Sequence, residues 1–578
     1  MSGEVVAARR RLAALSAPEA TRFLAPSLMA WRRWMVAIVA LGFFYPFVLA
    51  NLGLTEIFFF TQDLPAAMLM LALGYALYLT PPAWAPAKAR PPGWRAAALL
   101  SLAVAAICWA GSRIVYDGYA LALDEFMARF DARILASGHL LAEIPAAWRP
   151  YAAALQPNFI RISPDGAHWA SQYLPVNAAF LALAAKLGAM SLMTPLWAGI
   201  AVVATYGAGR RLWPERPNAA WAAALLLATT PQLLITAMTP YAMSAHLALN
   251  MVWLWLVLRG GRLGHGAAAG VAFLATGLHQ LIFNPLFAAP FVAEMWLAKR
   301  WRPALWHTFA YAAIGLFWAA WPGLAAQTVA SAIPRAGAAA VAAGGAPAVA
   351  AHALDLLRKF QPIAATGFMI ENLARFLSWQ SLLAMPLALL AVRPALKQGG
   401  APRALVMGVI LTTLAAFALM PYQGHGWGYR YLHGLMGALC LLAGLSWSRI
   451  SERADPRARA AVFGAAAAAS LIVLFPFLAW RTWATTHPHA AAMRQIRAIP
   501  ADVLVVQDNT LRIDIMSVRN DPWLTNRPLL MFAENLTAPQ VRELCARYRV
   551  RWLIDDPAGP LTENRCPTPA VTAAPGPT

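Results

Sequence analysis

The chain has 578 residues, of which 60% are hydrophobic and only 12% are charged. Soluble domains are typically about 45–50% apolar and about 25% charged, so this composition excludes a soluble globular protein and indicates a polytopic membrane protein. The formal net charge of +21 does not indicate nucleic-acid binding, because the basic residues fall in short clusters between apolar segments. The first thirty residues carry four arginines without the short apolar region of a secretory signal, so we expect no cleavable signal peptide.

Apolar segments of about 16–20 residues are long enough to cross a bilayer as helices. Thirteen such segments predict an all-α polytopic membrane protein with about 13 transmembrane helices. The predicted spans are 34–50, 64–80, 95–115, 194–211, 219–236, 242–258, 266–281, 283–298, 303–322, 379–393, 403–420, 432–449 and 459–480.

Lysine and arginine clusters between the spans predict the orientation of the chain. They agree with one another if residues 1–33 form a cytoplasmic N-terminal segment and residues 34–480 form the transmembrane domain. This orientation requires residues 174–189 to form a helix on the outer surface instead of a span. Glu294 is then nearly the only acid inside a span. The segments predicted to lie outside are 117–193, 323–378, 421–431 and 481–578.

The segment 481–578 is predicted to form a small extracytoplasmic α/β domain. Residues 501–507, 527–533 and 550–555 have the composition of short strands, and residues 538–547 have that of a helix. Its two cysteines, Cys545 and Cys566, can form a disulfide if the compartment is oxidising. The low-complexity segment 323–350 predicts a mobile loop.

Two adjacent acids, Asp124 and Glu125, follow the third predicted span closely, in the sequence IVYDGYALALDEF. Carboxylates near hydrocarbon are costly, which favours a functional role. One carboxylate could take a proton from an acceptor hydroxyl while the other orients the acceptor or helps to bind a divalent metal ion. The alternative is a solvated helix face on which these acids pair with Arg129 or Arg133.

A second cluster, YQGHGWGYRYLHG at residues 422–434, precedes a predicted span on the same outer side. Arg430 lies between Tyr429 and Tyr431, after three glycines that allow close backbone approach. A guanidinium held at the membrane surface suits the phosphate of a lipid-linked donor, because it can donate two parallel hydrogen bonds. The alternative is an interfacial aromatic belt with a snorkelling arginine.

Further polar residues fall near the predicted outer ends of spans. His168 and Tyr173 precede the surface helix, and His246 and His279 lie close to span ends. Each is a candidate substrate-binding residue. A buried histidine is more often a packing residue, and Ser163-Pro164-Asp165-Gly166 is explained by a turn.

The order of these segments resembles that of the GT-C superfamily of integral-membrane glycosyltransferases. It is most similar to glycosyltransferase family 39, which includes protein O-mannosyltransferases and the bacterial aminoarabinose transferase of lipid A. The resemblance is carried by Asp124-Glu125 with ARILASGHL after them, and by the segments 168–188, 194–213, 222–250 and 426–444. The chain departs from the pattern in having two spans before the one that leads into the acidic loop. It also has Val176-Asn177 where many relatives have Pro-Gly.

The resemblance implies inverting transfer of a sugar from a polyprenyl-phosphate donor to a lipid, glycan or protein acceptor. The reaction would take place on the periplasmic or extracellular face of a bacterial inner membrane. A lipid or sugar transporter, a flippase, and a surface-polysaccharide polymerase or ligase subunit are the alternatives. Transporters usually place ionisable groups at mid-membrane and have repeated halves, whereas the polar clusters here gather at the outer interface.

Overall fold

A computed structural model describes residues 25–44, 57–79, 92–156, 158–328, 361–423, 426–450, 452, 456–507, 518–554, 561–563 and 566. It has the architecture of an α-helical polytopic membrane protein with a small strand-containing region. The helices are α1 Ala25–Phe44, α2 Phe59–Leu79, α3 Trp94–Ile114, α4 Leu123–Ala136, α5 Ala152–Leu155, α6 Val176–Lys186, α7 Met190–Leu212, α8 Pro217–Ala228, α9 Pro231–Thr236, α10 Met243–Arg259, α11 Gly261–Thr276, α12 Phe283–Leu297, α13 Trp301–Gln327, α14 Pro362–Ser378, α15 Ala384–Gln398, α16 Gly400–Leu419, α17 Arg430–Ile450, α18 Pro456–Ala469, α19 Phe475–Ala498 and α20 Ala538–Arg547.

Seven helical segments among the described residues are long and apolar enough to cross a membrane. The last of them is continuous, because a π-helical turn, Ser470–Leu474, joins α18 to α19. Other predicted spans are shorter helices, such as α10 with 17 residues and α12 with 15. The number of thirteen spans therefore stays a prediction, whereas the polytopic helical fold is confirmed.

The middle of the chain holds buried charges that the sequence did not predict. Residues 362–378, predicted to lie outside, form the helix α14, whose apolar sequence is interrupted by Glu371 and Arg375; their side of the membrane stays a prediction. Both charges are fully buried, as is Asp63 in the first turn of α2. Glu294 is therefore not nearly the only acid within the helical bundle. Most of the predicted mobile loop 323–350 lies outside the described residues, and its first residues extend α13.

One predicted span, 219–236, is broken into α8 and α9. The break occurs at Thr229 and Thr230, before Pro231, since proline cannot donate the backbone hydrogen bond of a helix interior. The predicted surface helix is present as α6, and its 11 residues are too few to cross a bilayer. Ala178, Leu181 and Ala182 of α6 pack against Ala132 of α4.

The strands form two small sheets. Three short antiparallel strands, β1 Ala142–Glu143, β2 Ile160–Ile162 and β3 His168–Ser171, pair in the order β1-β3-β2. The other four, β4 Val503–Val506, β5 Leu529–Phe532, β6 Val550–Ile554 and β7 Leu561–Glu563, pair in the order β5-β4-β6-β7. The first three of these strands and helix α20 confirm the elements predicted near residue 500 and beyond.

Helix α4, the segment that follows it and the strands near the end of the chain share one hydrophobic core. Phe130 of α4 and Trp169 of β3 are buried in the same cluster as Val503 and Met531. The Trp169 indole donates a hydrogen bond to the Pro522 carbonyl at 2.7 Å. A disulfide joins Cys545 to Cys566, as the sequence allowed. These two distant parts of the chain thus form one layer, the strand layer, whose core includes side chains of α4.

Candidate active site

The first turn of α4 is held from both sides. Ala122 is extended and precedes the helix, so that Asp124 and Glu125 lie in the first turn, where the helix dipole favours negative charge. The buried guanidinium of Arg519 donates hydrogen bonds to the carbonyls of Ala120 and Leu121. The acidic turn is therefore fixed by a residue about 400 positions later in the chain.

The Asp124 carboxylate accepts hydrogen bonds on both oxygens. The Tyr173 hydroxyl donates to Oδ1, and the Arg430 guanidinium donates to Oδ2. The side chains of Arg430 and Asp124 are only 8% and 14% exposed, so this ion pair is largely removed from water. The structure thus brings together three of the residues that the sequence singled out.

The ion pair determines the protonation state of Asp124. Burial alone would raise the pKa of this carboxyl, but the Arg430 guanidinium and the Tyr173 hydroxyl together hold its pKa below the ordinary value. Asp124 is therefore a carboxylate at neutral pH.

The loop before α17 fixes Arg430. The Gln423 side chain accepts a hydrogen bond from the Arg430 backbone N–H at 2.7 Å and donates one to the Gly428 carbonyl at 2.9 Å. Arg430 Nη2 in turn donates to the Gln423 carbonyl at 2.8 Å. Gly428 has a positive φ of +68°, and a Cβ there would lie 2.5 Å from the Gln232 side chain, so only glycine fits.

Aromatic rings enclose the ion pair. The Arg430 guanidinium lies over the Tyr241 ring at 5.0 Å, and Tyr173 stacks on His279 with ring centroids 4.1 Å apart. Both nitrogens of His279 are buried without a hydrogen-bond partner in the part of the chain that the structure describes. They are available to a bound group. A cavity of about 260 Å³ shares Tyr173 with this site and reaches Trp321 near the end of α13.

Asp131, about two helical turns beyond Asp124, borders the same cavity. Its carboxylate accepts hydrogen bonds from the backbone and the hydroxyl of Ser171. Burial raises the pKa of Asp131 to about 6. This contact sets the approach of β3 to α4 and thereby the position of Tyr173.

Glu125 has a different environment from its neighbour. Its side chain is fully buried and accepts a hydrogen bond from the Ala122 N–H at 3.0 Å. Burial raises the pKa of Glu125 to about 7. Both oxygens of Asp124 accept hydrogen bonds, from Tyr173 and Arg430, whereas Glu125 accepts one from Ala122, and a divalent ion at these two acids stays a prediction. Among the described residues no three His, Cys, Asp or Glu side chains come together as a metal site.

The other predicted site residues lie at different distances from the chemistry. Tyr431 stacks on Phe283 at 5.9 Å, and His246 contacts the same ring at 5.4 Å, so both extend the aromatic wall beside Arg430. Tyr429 is fully buried and packs against Tyr431. His168 is outside this cluster.

The ring of His168 pairs with Asp165 at 3.0 Å in the turn between β2 and β3. No contact in the described part of the chain connects His168 with Asp124, so His168 contributes to the hairpin of β2 and β3.

Four residues that support the site were missed from the sequence. Gln423 stood within the quoted glycine-rich cluster and offered a signal, whereas Gln232, Tyr241 and Arg519 are ordinary residues whose role depends on distant contacts.

Comparison with solved structures identifies the fold. The crystal structure of ArnT from Cupriavidus metallidurans bound to undecaprenyl phosphate matches 77% of this chain and 90% of its own, with a TM-score of 0.50 and 13% sequence identity. The apo structure of the same protein matches 72% of this chain and 84% of its own, with a TM-score of 0.46 and 13% identity. No protein-family model and no curated protein sequence matches the chain. At this identity the first match shows a common fold.

Proposed function

We propose that the protein is a membrane glycosyltransferase that moves a sugar from a polyprenyl-phosphate-linked donor to an acceptor on the extracytoplasmic face. One observation carries the proposal: a buried carboxylate, Asp124, is held by an arginine and a tyrosine beside a cavity. The fold supports it, because a solved protein of the same fold is described as bound to undecaprenyl phosphate.

The site suits displacement of a lipid phosphate from a sugar. The acceptor oxygen attacks the anomeric carbon, the bond from that carbon to the phosphate oxygen breaks, and the phosphate leaves with the electron pair. Arg430 is the group that can stabilise the negative charge on the leaving phosphate. Asp124 receives the proton from the acceptor hydroxyl.

The ion pair itself couples donor binding to base strength. When the donor phosphate enters, Arg430 donates to it and releases Oδ2 of Asp124. Without the guanidinium, burial dominates and the pKa of Asp124 rises, so that the carboxylate becomes a better proton acceptor. Tyr173 keeps Oδ1 in place during this exchange.

The direct test is cleavage of the donor. Purified protein in lipid nanodiscs is given a panel of undecaprenyl-phosphate sugars together with a cell-envelope lipid extract, and the release of free undecaprenyl phosphate is followed by mass spectrometry. We expect release with at least one donor and none with Asp124→Asn. Movement of an intact donor across the bilayer without cleavage would instead identify a transporter or flippase.

A further inference from the structure

An open cleft of about 950 Å³ lies at the ends of α10 and α12 that point away from the candidate active site. His246 and Phe283, at the other ends of these two helices, belong to the aromatic wall beside Arg430. Because a helix rises about 1.5 Å per residue, the 17 residues of α10 separate the two places by roughly 25 Å. We call this feature the basic cleft, after the basic residues that line it, Arg262, His265, Lys299, Arg300 and Arg302.

The basic cleft holds positive charge without a counter-ion. None of the described residues that line it is an acid. Lys299, Arg300 and Arg302 are exposed, and no carboxylate in the described part of the chain pairs with them. Glu294, the nearest acid along the chain, forms its ion pair with Arg403 instead. Because like charges held together repel, an anion bound in the cleft lowers the electrostatic energy.

Two helices begin at the cleft and add to its positive potential. Helix α11 begins at Gly261 and α13 begins at Trp301, and both residues line the cleft. Neither helix has a side-chain cap or an acid in its first turn. The first N–H groups of a helix carry partial positive charge and donate to anions such as phosphate. Cations beside two uncapped helix starts are the set of donors that suits a phosphate group.

The turn before α13 carries a lysine where glycine is the ordinary residue. Lys299 has a φ of +55°, in the left-handed region, whereas the corresponding turn before α11 has Gly260 with a φ of +70°. A side chain is unfavourable in this backbone conformation, and glycine is the usual choice at the end of a helix. Lys299 therefore contributes its charge to the cleft at the expense of the turn.

The apolar surroundings of the cleft favour a lipid as the source of the anion. Helix α13 is long and apolar enough to span a membrane, and only 17% of its apolar segment is buried inside the protein. Trp306 and Phe309, one and two turns along α13 from Arg302, are 49% and 69% exposed. On α11, a Cβ added to Gly266 would meet no atom within 4 Å, so the cleft is open beside it. An acyl chain can lie along this face while its headgroup occupies the cleft.

We propose that the basic cleft binds the phosphate headgroup of an anionic membrane phospholipid, whose acyl chains lie along α13. Basic pockets between transmembrane helices are a known setting for acidic headgroups. Single clusters of basic residues at the ends of spans are ordinary, since they determine orientation. Here the clusters of two separate turns meet in one cleft. The binding is independent of sugar transfer, because the cleft lies a helix length from the site around Asp124.

The test measures lipid binding to delipidated protein by native mass spectrometry. Phosphatidylglycerol is the probe, phosphatidylcholine with the same acyl chains is the zwitterionic lipid, and glycerol 3-phosphate is the soluble headgroup. We expect phosphatidylglycerol to bind more tightly than phosphatidylcholine. Arg300→Ala/Arg302→Ala should weaken phosphatidylglycerol binding by about tenfold, a loss of about 1.4 kcal/mol. Arg393→Ala/Lys397→Ala removes two exposed cations of α15 outside the cleft and is the matched control, which should bind normally.

Two further variants separate binding from folding. Lys299→Gly removes one cation and suits the left-handed turn, so it should weaken phosphatidylglycerol binding while the melting temperature stays the same or rises. Gly266→Leu keeps every charge and places a side chain in the cleft, so it should also weaken binding. Leucine is a better helix former than glycine, and α11 should therefore remain folded.

Three results would contradict the proposal. Equal phosphatidylglycerol binding by the wild type and Arg300→Ala/Arg302→Ala would overturn the site. An equal loss of binding in Arg393→Ala/Lys397→Ala would show general attraction to a basic surface, and would overturn the cleft as the place of binding. Displacement of phosphatidylglycerol by glycerol 3-phosphate at equal concentration would overturn the lipid as the ligand.

Discussion

The molecule contains two buried ion pairs of the same chemical kind in different settings. In the helical bundle, Arg375 of α14 donates to Asp63 of α2 at 2.7 Å, and both side chains have no exposed surface. At the first turn of α4, Arg430 pairs with Asp124, and both side chains retain slight exposure beside a cavity.

The difference lies in what else each carboxylate can reach. Asp63 also accepts a hydrogen bond from the Trp379 indole at 2.9 Å, within protein on every side. Asp124 contacts Tyr173 and borders a small cavity, which the proposed substrate groups would enter. An enclosed pair can only hold helices together, whereas a pair with an open side can exchange partners. The predictions below test this distinction, from the largest expected effect on turnover to the smallest.

Asp124→Asn should abolish most of the transfer activity. The amide keeps the shape and the contact with Tyr173 but cannot accept the acceptor proton, and loss of a general base typically lowers the rate by about 10²–10⁴. The measurement is donor cleavage per folded molecule. Asp502→Asn, which removes an acid paired with Arg549 in the strand layer, is the control and should cleave normally. Near-normal turnover of Asp124→Asn would contradict the assignment.

Arg430→Ala should lower the transfer rate by about 10²–10³ and weaken donor binding, because the leaving phosphate loses its positive partner. Arg430→Lys keeps the charge but not the two-pronged geometry and should be intermediate. Donor affinity and transfer rate are measured on protein with a wild-type melting temperature. Arg403→Ala, which removes a partner of Glu294, is the control. Unchanged donor binding by Arg430→Ala would indicate that this arginine only anchors its segment at the membrane interface.

Arg519→Ala should lower kcat by about 10–100-fold with little change in donor KM, since a displaced α4 turn misplaces Asp124 without touching the donor. Arg519→Lys, which can still reach one of the two carbonyls, should recover part of kcat. The separation of kcat from KM is the measurement. An equal change in both parameters would mean that Arg519 acts by some route other than positioning.

Asp63→Asn should leave turnover per folded molecule unchanged and reduce stability. Removing one partner of a buried pair leaves an uncompensated charge, which typically costs about 3–5 kcal/mol. Thermal unfolding in detergent measures this loss. The double variant Asp63→Asn/Arg375→Met removes both charges and should regain stability. A selective loss of turnover at normal stability would remove the distinction between the two pairs.

The smallest effect concerns Glu125 and pH. Its pKa is raised by burial to about 7 from an ordinary 4.5, so the neutral form is favoured in the folded state. The stability it contributes is present below about pH 4.5 and is lost as the pH rises through 7. Glu125→Gln keeps the bond from Ala122 and should flatten the decrease in melting temperature between pH 5 and 8. Asp131, whose pKa is raised to about 6, will leave a smaller residual slope. An unchanged slope would contradict the assigned environment of Glu125.

The sequence was sufficient to identify the site residues that stand out from their immediate neighbours. Asp124 and Arg430 are polar groups next to apolar spans, so each was identified alone, although only the fold brings them together across 306 positions. Tyr173 and His279 were found for the same reason. The ion pair of Asp63 with Arg375 was missed because Arg375 and Glu371 interrupt the apolar pattern of α14. A hydropathy analysis treats every charged residue as solvent-exposed, including a charged residue that is buried. The close contacts of Gln232 and Arg519 depend on segments far away in the chain.

The core of the strand layer sets an order in which the protein can fold. The acidic turn leaves the ribosome early, whereas Arg519, which binds the carbonyls of Ala120 and Leu121, is synthesised almost 400 residues later. The partner of the Trp169 indole, the carbonyl of Pro522, is equally late. Until the strands near the end of the chain have been synthesised and have folded, the carbonyls of Ala120 and Leu121 lack the hydrogen bonds from Arg519. The first turn of α4 therefore reaches its final arrangement only after nearly the whole chain has been made.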